Sequence, residues 1–323
     1  MSAIATRFGP RGMGWMDRPA DRKAACAILA ARQGTIDVRV LAGPLFRAAD
    51  DDAPRPLWLA EEQIKGGPQP SWDQGQAGTC VSFGWGRGSN DLMCVQVRTG
   101  ETEEYPGADV ATEPIYGGSR VEAGGGRIPP GEDGSVGAWA AEFVTRWGIL
   151  LRKQYGQYDL THYSEQTSRQ WGAHGVPDEL EPECRKHPIQ TAALVTSSAE
   201  AWTLLGHGYP IPICSDVGFE SPLVEGFCQP AGQWGHCMLV RGRLLAKYRG
   251  AVGKAFVIQN SWGDYLAGQG DPYVTLSDGS TLRLPPGCFC ITDRWMDSIL
   301  RQQDSFAISN FRGFETRTLD WLL

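Results

Sequence analysis

The 323 residues carry a formal net charge of −7, with 41% hydrophobic and 21% charged side chains. That hydrophobic share supports a real core and excludes a wholly disordered chain, while an acidic balance without a Lys/Arg block argues against a general nucleic-acid binder. No apolar run reaches the about 18 residues of a membrane span, and the length predicts one large domain with appendages, or two lobes.

Residues 1–55 read as an N-terminal extension and linker. Met1–Pro10 lacks the apolar core of a secretory signal. The nine cysteines are odd in number and show no zinc-ligand pairing. Together these predict a reduced compartment, hence a cytoplasmic protein or one carried in a larger assembly such as a virion. Apolar spacing predicts a short amphipathic helix over Asp21–Arg32 and a strand over Asp37–Leu41, before a polar linker over Asp50–Pro56. The main domain is expected over 56–293.

Its first marked stretch is Ser71–Phe83, where Gln74, Gly75, Gly78 and Cys80 fall in close order. With Cys80 as the first residue of a helix, the helix dipole and free N–H groups favour its thiolate. The Gln74 amide and the Cys80 N–H would then form an oxyanion hole. The helix continues over Phe83–Val97 despite Gly84, Gly86 and Gly88, each costing about 1 kcal/mol relative to alanine, which predicts another element packed closely against it. Residues 105–134 read as Gly/Pro-rich loop and 134–149 as a second helix.

His162, His174 and His187 follow in a polar stretch, but their separations fit no zinc motif, so no metal or other cofactor is expected. Ser197–Glu200 reads as a capping box. Strands begin at Tyr209, with Pro210 and Pro212 demoting the first toward an edge. His236 then opens an apolar strand-like run, and Asn260 ends another before Ser261-Trp262-Gly263. Helices followed by strands indicate an α+β fold with segregated halves. Residues 294–323 form an apolar tail expected to dock on the domain or on an assembly partner.

Cys, His and Asn in that chain order, with Gln74-Gly75-x-x-Gly78-x-Cys80 and Asn260-Ser261-Trp262-Gly263, resemble the papain-like cysteine peptidases from about Trp58 to Asp293. The resemblance implies a two-lobe fold, a helical lobe followed by an antiparallel β lobe, with the active site between them. It implies peptide-bond hydrolysis through a Cys80 thiolate and a His236 imidazolium, with Asn260 orienting the imidazole, Gln74 assisting, and Trp262 shielding the ring. Gly134 and Ser135 would pair with the substrate backbone, unless they are only a Gly-rich helix entry.

By the same alignment Trp234 and Cys237 would wall one side of a side-chain pocket and Val136 and Gly137 the other, with Trp234 equally readable as core. Such a pocket is expected to be apolar and to favour a compact aliphatic residue. The chain departs from the family in three places. Ala77 removes a cysteine commonly disulfide-bonded there, Val81 replaces an aromatic, and the Cys80 to His236 separation is longer than usual. No long helical propeptide pattern precedes the domain. The expected partner is a peptide or protein substrate, with no nucleic acid and no membrane. The rival reading is a papain-like domain kept as a structural or binding component of a larger assembly.

Overall fold

A computed structural model describes residues 12–48, 52–101, 108–187 and 189–320. The first half is helical: α1 (Pro19–Gln33), α2 (Trp58–Lys65), α3 (Cys80–Arg98), α4 (Glu113–Gly118), α5 (Gly137–Arg146) and α6 (Glu165–His174), with the short strand β1 (Arg55–Pro56) before α2. The second half carries β2 (Thr191–Leu194), α7 (Ser198–Gly206), β3 (Ile211–Val224), β4 (Phe227–Tyr248), β5 (Ala251–Gln259), β6 (Cys288–Thr292), α8 (Asp293–Leu300) and β7 (Phe306–Ser309). Strand β4 is the hub, antiparallel to β1, β3 and β5. Strand β6 is antiparallel to β5 and meets β4 in one parallel pairing, Cys290 with Phe227. The result is α+β, helices first and a mainly antiparallel sheet second.

Helix α3 lies against β4, and its residues from Cys80 to Gln96 are all buried. Its glycines mark the closest approaches. A Cβ at Gly84 would lie 2.7 Å from Cys237 Sγ, and one at Gly88 would lie 3.2 Å from Leu239 Cδ1. Both positions face β4, so the helix gives up propensity to bring its backbone onto the sheet.

Charges also cross this seam. Arg241 of β4 grips Asp91 of α3 through Nε (2.9 Å) and Nη2 (2.7 Å), and its Nη1 donates to Gln259 Oε1 (2.8 Å). Glu61 of α2 accepts from Arg87, Lys65, Asn90 and Arg241. Burial works to raise the Glu61 pKa, but Arg87, then Arg241 and Lys65, bring it down to about 2. Buried charges need such partners.

Two sequence expectations change. Asp37–Leu41 is not a strand: Asp37 Oδ1 accepts from Arg39 N (2.8 Å) and starts a short helix over Val38–Leu41. The 105–134 stretch is not wholly loop: α4 and a π-helical turn over Ser119–Ala123 occupy its middle, while 102–107 lie outside the described residues. Two glycines hid this helix, and packing requires them, since a Cβ at Gly118 would lie 2.0 Å from the Phe143 ring and one at Gly117 2.8 Å from Trp171. The tail packs on the domain: Met296, Ile299 and Leu300 of α8 are buried, and β7 pairs with β2, so Phe306, Ile308, Phe314 and Leu319 enter the main apolar cluster. Of the expected capping box the Ser197 half forms, its hydroxyl accepting from Glu200 N at 3.3 Å, while Glu200 Oε2 accepts from Thr196 N at 2.8 Å. All nine cysteines are unpaired, and among the described residues no helix is long and apolar enough to cross a membrane.

Candidate active site

Cys80 is the first residue of α3 and is fully buried. Its sulfur accepts the backbone N–H of Cys237 at 3.3 Å, so the residue after His236 touches the thiol directly. His236 projects from β4, and its Nε2 lies 2.8 Å from Asn260 Oδ1. That oxygen also accepts Ser261 N at 2.7 Å, which identifies it as the amide oxygen. Nε2 therefore carries the proton. Nδ1 is the basic nitrogen, and it has no hydrogen-bond partner among the described residues. The Trp262 ring covers the imidazole, with centroids 4.8 Å apart.

Asn260 is held from behind. Gln259, itself fixed by Arg241, donates from Nε2 to Asn260 O (3.1 Å), Pro286 O (3.1 Å) and Ser71 Oγ (3.0 Å). The buried ionic cluster of the lobe seam thus ends at the residue that orients the imidazole.

Burial decides the protonation of the pair. It pushes the Cys80 thiol up to about 12, against the opposing N–H groups of Cys237, Gly14 and Trp15. It brings His236 down to about 4, with the Asn260 hydrogen bond opposing. At neutral pH this closed site contains a thiol and a neutral imidazole.

Residues 12–16 are what close it. Trp15 N donates to Gly235 O (2.9 Å), Ser135 N donates to Gly14 O (2.7 Å), and Met16 N donates to Ser135 O (2.9 Å), a parallel bridge between Trp15 and Ser135. Gln74 Nε2 donates to Gly12 O (3.0 Å) and to Ala77 O (2.9 Å), while its Oε1 accepts Ser261 Oγ at 2.5 Å. The N–H groups of Gly14 and Trp15 act on the sulfur, so the segment covers the thiol. Glycine is obligatory at both backbone crossings: a Cβ at Gly12 would lie 1.9 Å from Ala77 O, and one at Gly14 would lie 1.8 Å from Gly78 O.

The Trp15 side chain enters a socket, where its Nε1 donates to Asp304 Oδ2 at 2.6 Å. The same carboxylate accepts Gly137 N (2.8 Å) and Ala138 N (2.7 Å) at the start of α5. Burial raises the Asp304 pKa to about 6, against those three donors and Arg22. An apolar pocket for a compact aliphatic residue was the expectation. The socket that Trp15 fills holds an indole and presents a carboxylate.

Asn260 and Trp262 meet the His236 ring, Gln74 meets Ser261 beside Asn260, and Cys80 meets the residue after His236, while Gly134 and Ser135 line the cleft. Tyr116 OH accepts Gly134 N (3.0 Å), Arg120 Nη1 donates to Gly134 O (2.7 Å), and the hydroxyls of Ser119 and Ser135 are 2.7 Å apart. Val136 precedes α5 and is buried. The Cys237 thiol is not brought to the cleft: it turns to Gly84, and only its N–H reaches the sulfur. Trp234 packs on Trp262 (4.9 Å) and Phe219 (6.2 Å). Sequence reasoning missed Gly12–Met16 and Asp304. The alternation of Gly12 and Gly14 before Trp15 is a faint signal for a backbone laid on backbone; Asp304, 167 residues from the helix it caps, left none.

No protein-family model matches the chain, and no curated sequence relative is detected. Among solved structures it is similar to proCathepsin B S9 from Trypanosoma congolense, at 10% identity over 95% of this chain and 87% of that one, with a TM-score of 0.50. It is also similar to xylellain, a cysteine protease from Xylella fastidiosa, at 15% identity over 76% of this chain and 84% of that one, with a TM-score of 0.49. The chain has the papain-like fold.

Proposed function

We propose that the chain is a cysteine peptidase whose nucleophile is Cys80 and whose acid–base group is His236. The observation that carries this reading is the arrangement of three groups around one position of β4. The Cys80 sulfur lies on the Cys237 N–H, and Asn260, just past the end of β5, fixes the His236 ring, leaving Nδ1 as its unpartnered nitrogen among the described residues. With the 12–16 segment displaced, water enters and the burial that keeps both groups neutral is relieved. Nδ1 takes the Cys80 proton, and the thiolate attacks the substrate carbonyl. The Gln74 amide now bonded to Gly12 O and the Cys80 N–H would receive the oxyanion. Nδ1–H then protonates the leaving nitrogen, and water, deprotonated at Nδ1, releases the acyl group. Asn260 keeps a proton on Nε2 throughout, so that Nδ1 is the nitrogen that gains and loses one.

The test uses the full chain with Gly12→Ala and Gly14→Ala, which drives the segment off by steric conflict and leaves every proposed catalytic group intact. This variant should hydrolyse a fluorogenic peptide library. Adding Cys80→Ala or His236→Ala should abolish turnover, and Gln74→Ala should lower it about 10²–10³-fold. Hydrolysis that survives Cys80→Ala would sink the reading.

A further inference from the structure

We infer that the Trp15 socket is the side-chain pocket of the cleft, and that Asp304 is its specificity-determining group, selecting a substrate residue that ends in an N–H donor, tryptophan foremost. The inference rests on the peptidase reading above. Its warrant is the occupant already in place. Ser135 N and O pair with Gly14 O and Met16 N, the groups that flank Trp15. The residue between them therefore delivers its side chain to the socket. A substrate strand running the other way would pair both of its own groups with Ser135 and place its side chain at the same position.

Asp304 is 1% exposed, and Trp15 belongs to the main apolar cluster. The socket thus asks for a large apolar body with a donor at its end. Two of the three donors on the carboxylate are fixed backbone N–H groups at the start of α5, and the third comes from the occupant. When Trp15 leaves, the oxygen facing the socket loses that third donor in a buried place. A side chain of equal shape without an N–H would leave the oxygen short, and sites built around a buried hydrogen bond reject such analogues strongly. The demand is for a donor rather than a full cation. The α5 N-terminus and the nearby Arg22 already place positive charge on Asp304, which favours tryptophan over arginine or lysine.

The test again uses the full-length Gly12→Ala/Gly14→Ala chain. Two peptides identical except at the pocket residue, tryptophan in one and 2-naphthylalanine in the other, are compared by kcat/KM. Their Kd values are measured on the same chain also carrying Cys80→Ala. The tryptophan peptide should bind about tenfold or more tightly, and Asp304→Leu should bring the ratio to about one. A ratio of two affinities does not depend on the folded fraction, so partial unfolding of the Asp304 variant leaves it readable. The ratio in the parent stands without that variant. Equal affinities in the parent, absence of binding by either peptide, or a ratio that survives Asp304→Leu overturns the inference. Tighter tryptophan binding without turnover supports the pocket and defeats the peptidase reading; turnover without preference does the reverse.

Discussion

Replacing Trp15 with Phe isolates the bond that latches the cleft. Phenylalanine keeps most of the apolar burial and the Gly14, Trp15 and Met16 backbone pairings, but removes the Nε1 donor 2.6 Å from Asp304 Oδ2. Asp304 retains Gly137 N and Ala138 N, so the loss is one charge-assisted hydrogen bond at a buried carboxylate. Such bonds contribute about 1.5–3 kcal/mol, which at about 1.4 kcal/mol per decade is an increase of about 10- to 150-fold in the open population. The readout is alkylation of Cys80 by iodoacetamide in the full chain at pH 7, followed residue by residue by mass spectrometry. Cys80 is fully buried when the segment is in place, so its labelling rate follows the open fraction when closing is fast. In the unmodified chain Cys26, the one thiol of the nine that is not buried, should be labelled before Cys80. In Trp15→Phe, Cys80 labelling should rise by one to two decades. A rate within twofold of the unmodified chain would show that the Trp15–Asp304 bond does not control access to the thiol.

Two further outcomes follow from buried charge. The folded Asp304 pKa, raised to about 6 by burial, lies above the unfolded value of about 3.9. The folded state therefore binds the extra proton, and the chain should lose stability as pH rises from about 4 to about 6, with no further loss from this group above that window. Urea unfolding of the unmodified chain minus that of Asp304→Asn should show this slope, and a flat difference would refute it. Arg241→Leu should destabilise by about 3–5 kcal/mol, because Asp91 and Glu61 stay buried without it. It should also loosen Gln259 and so lower kcat in whatever remains folded; unfolding curves that overlay the unmodified chain would remove the cluster from the account.

The sequence made the lobe order and the site legible because each depended on local chemistry. Cys80 starts a helix behind two glycines, His236 lies on an apolar strand and Asn260 directly follows another, and their convergence was what the resemblance to papain-like peptidases implied. Helix α4 was hidden for the opposite reason. Gly117 and Gly118 lower local helix propensity, and their purpose, contact with Trp171 and Phe143, is visible only once three helices have packed. Cys237 was misplaced as a pocket wall because alternation along β4 turns its thiol toward α3, away from the side His236 serves.

The occupied cleft follows from the same physics at longer range. A covering segment must do without side chains wherever it crosses another backbone, which is why Gly12 and Gly14 alternate. It also needs one anchor large enough to hold it, which is Trp15. Burying that anchor required a partner for the indole N–H, and Asp304 meets the need from the far end of the chain. The arrangement ties three properties of the site to one contact. While Trp15 is seated, Gln74 is spent on Gly12, the Cys80–His236 pair is dry and neutral, and the pocket is full. In the proposed mechanism, releasing it would free the Gln74 amide, wet the pair and leave Asp304 short of a donor together. In the proposed peptidase, the side chain that best replaces Trp15 on Asp304 is therefore also the one that best holds a substrate over Cys80.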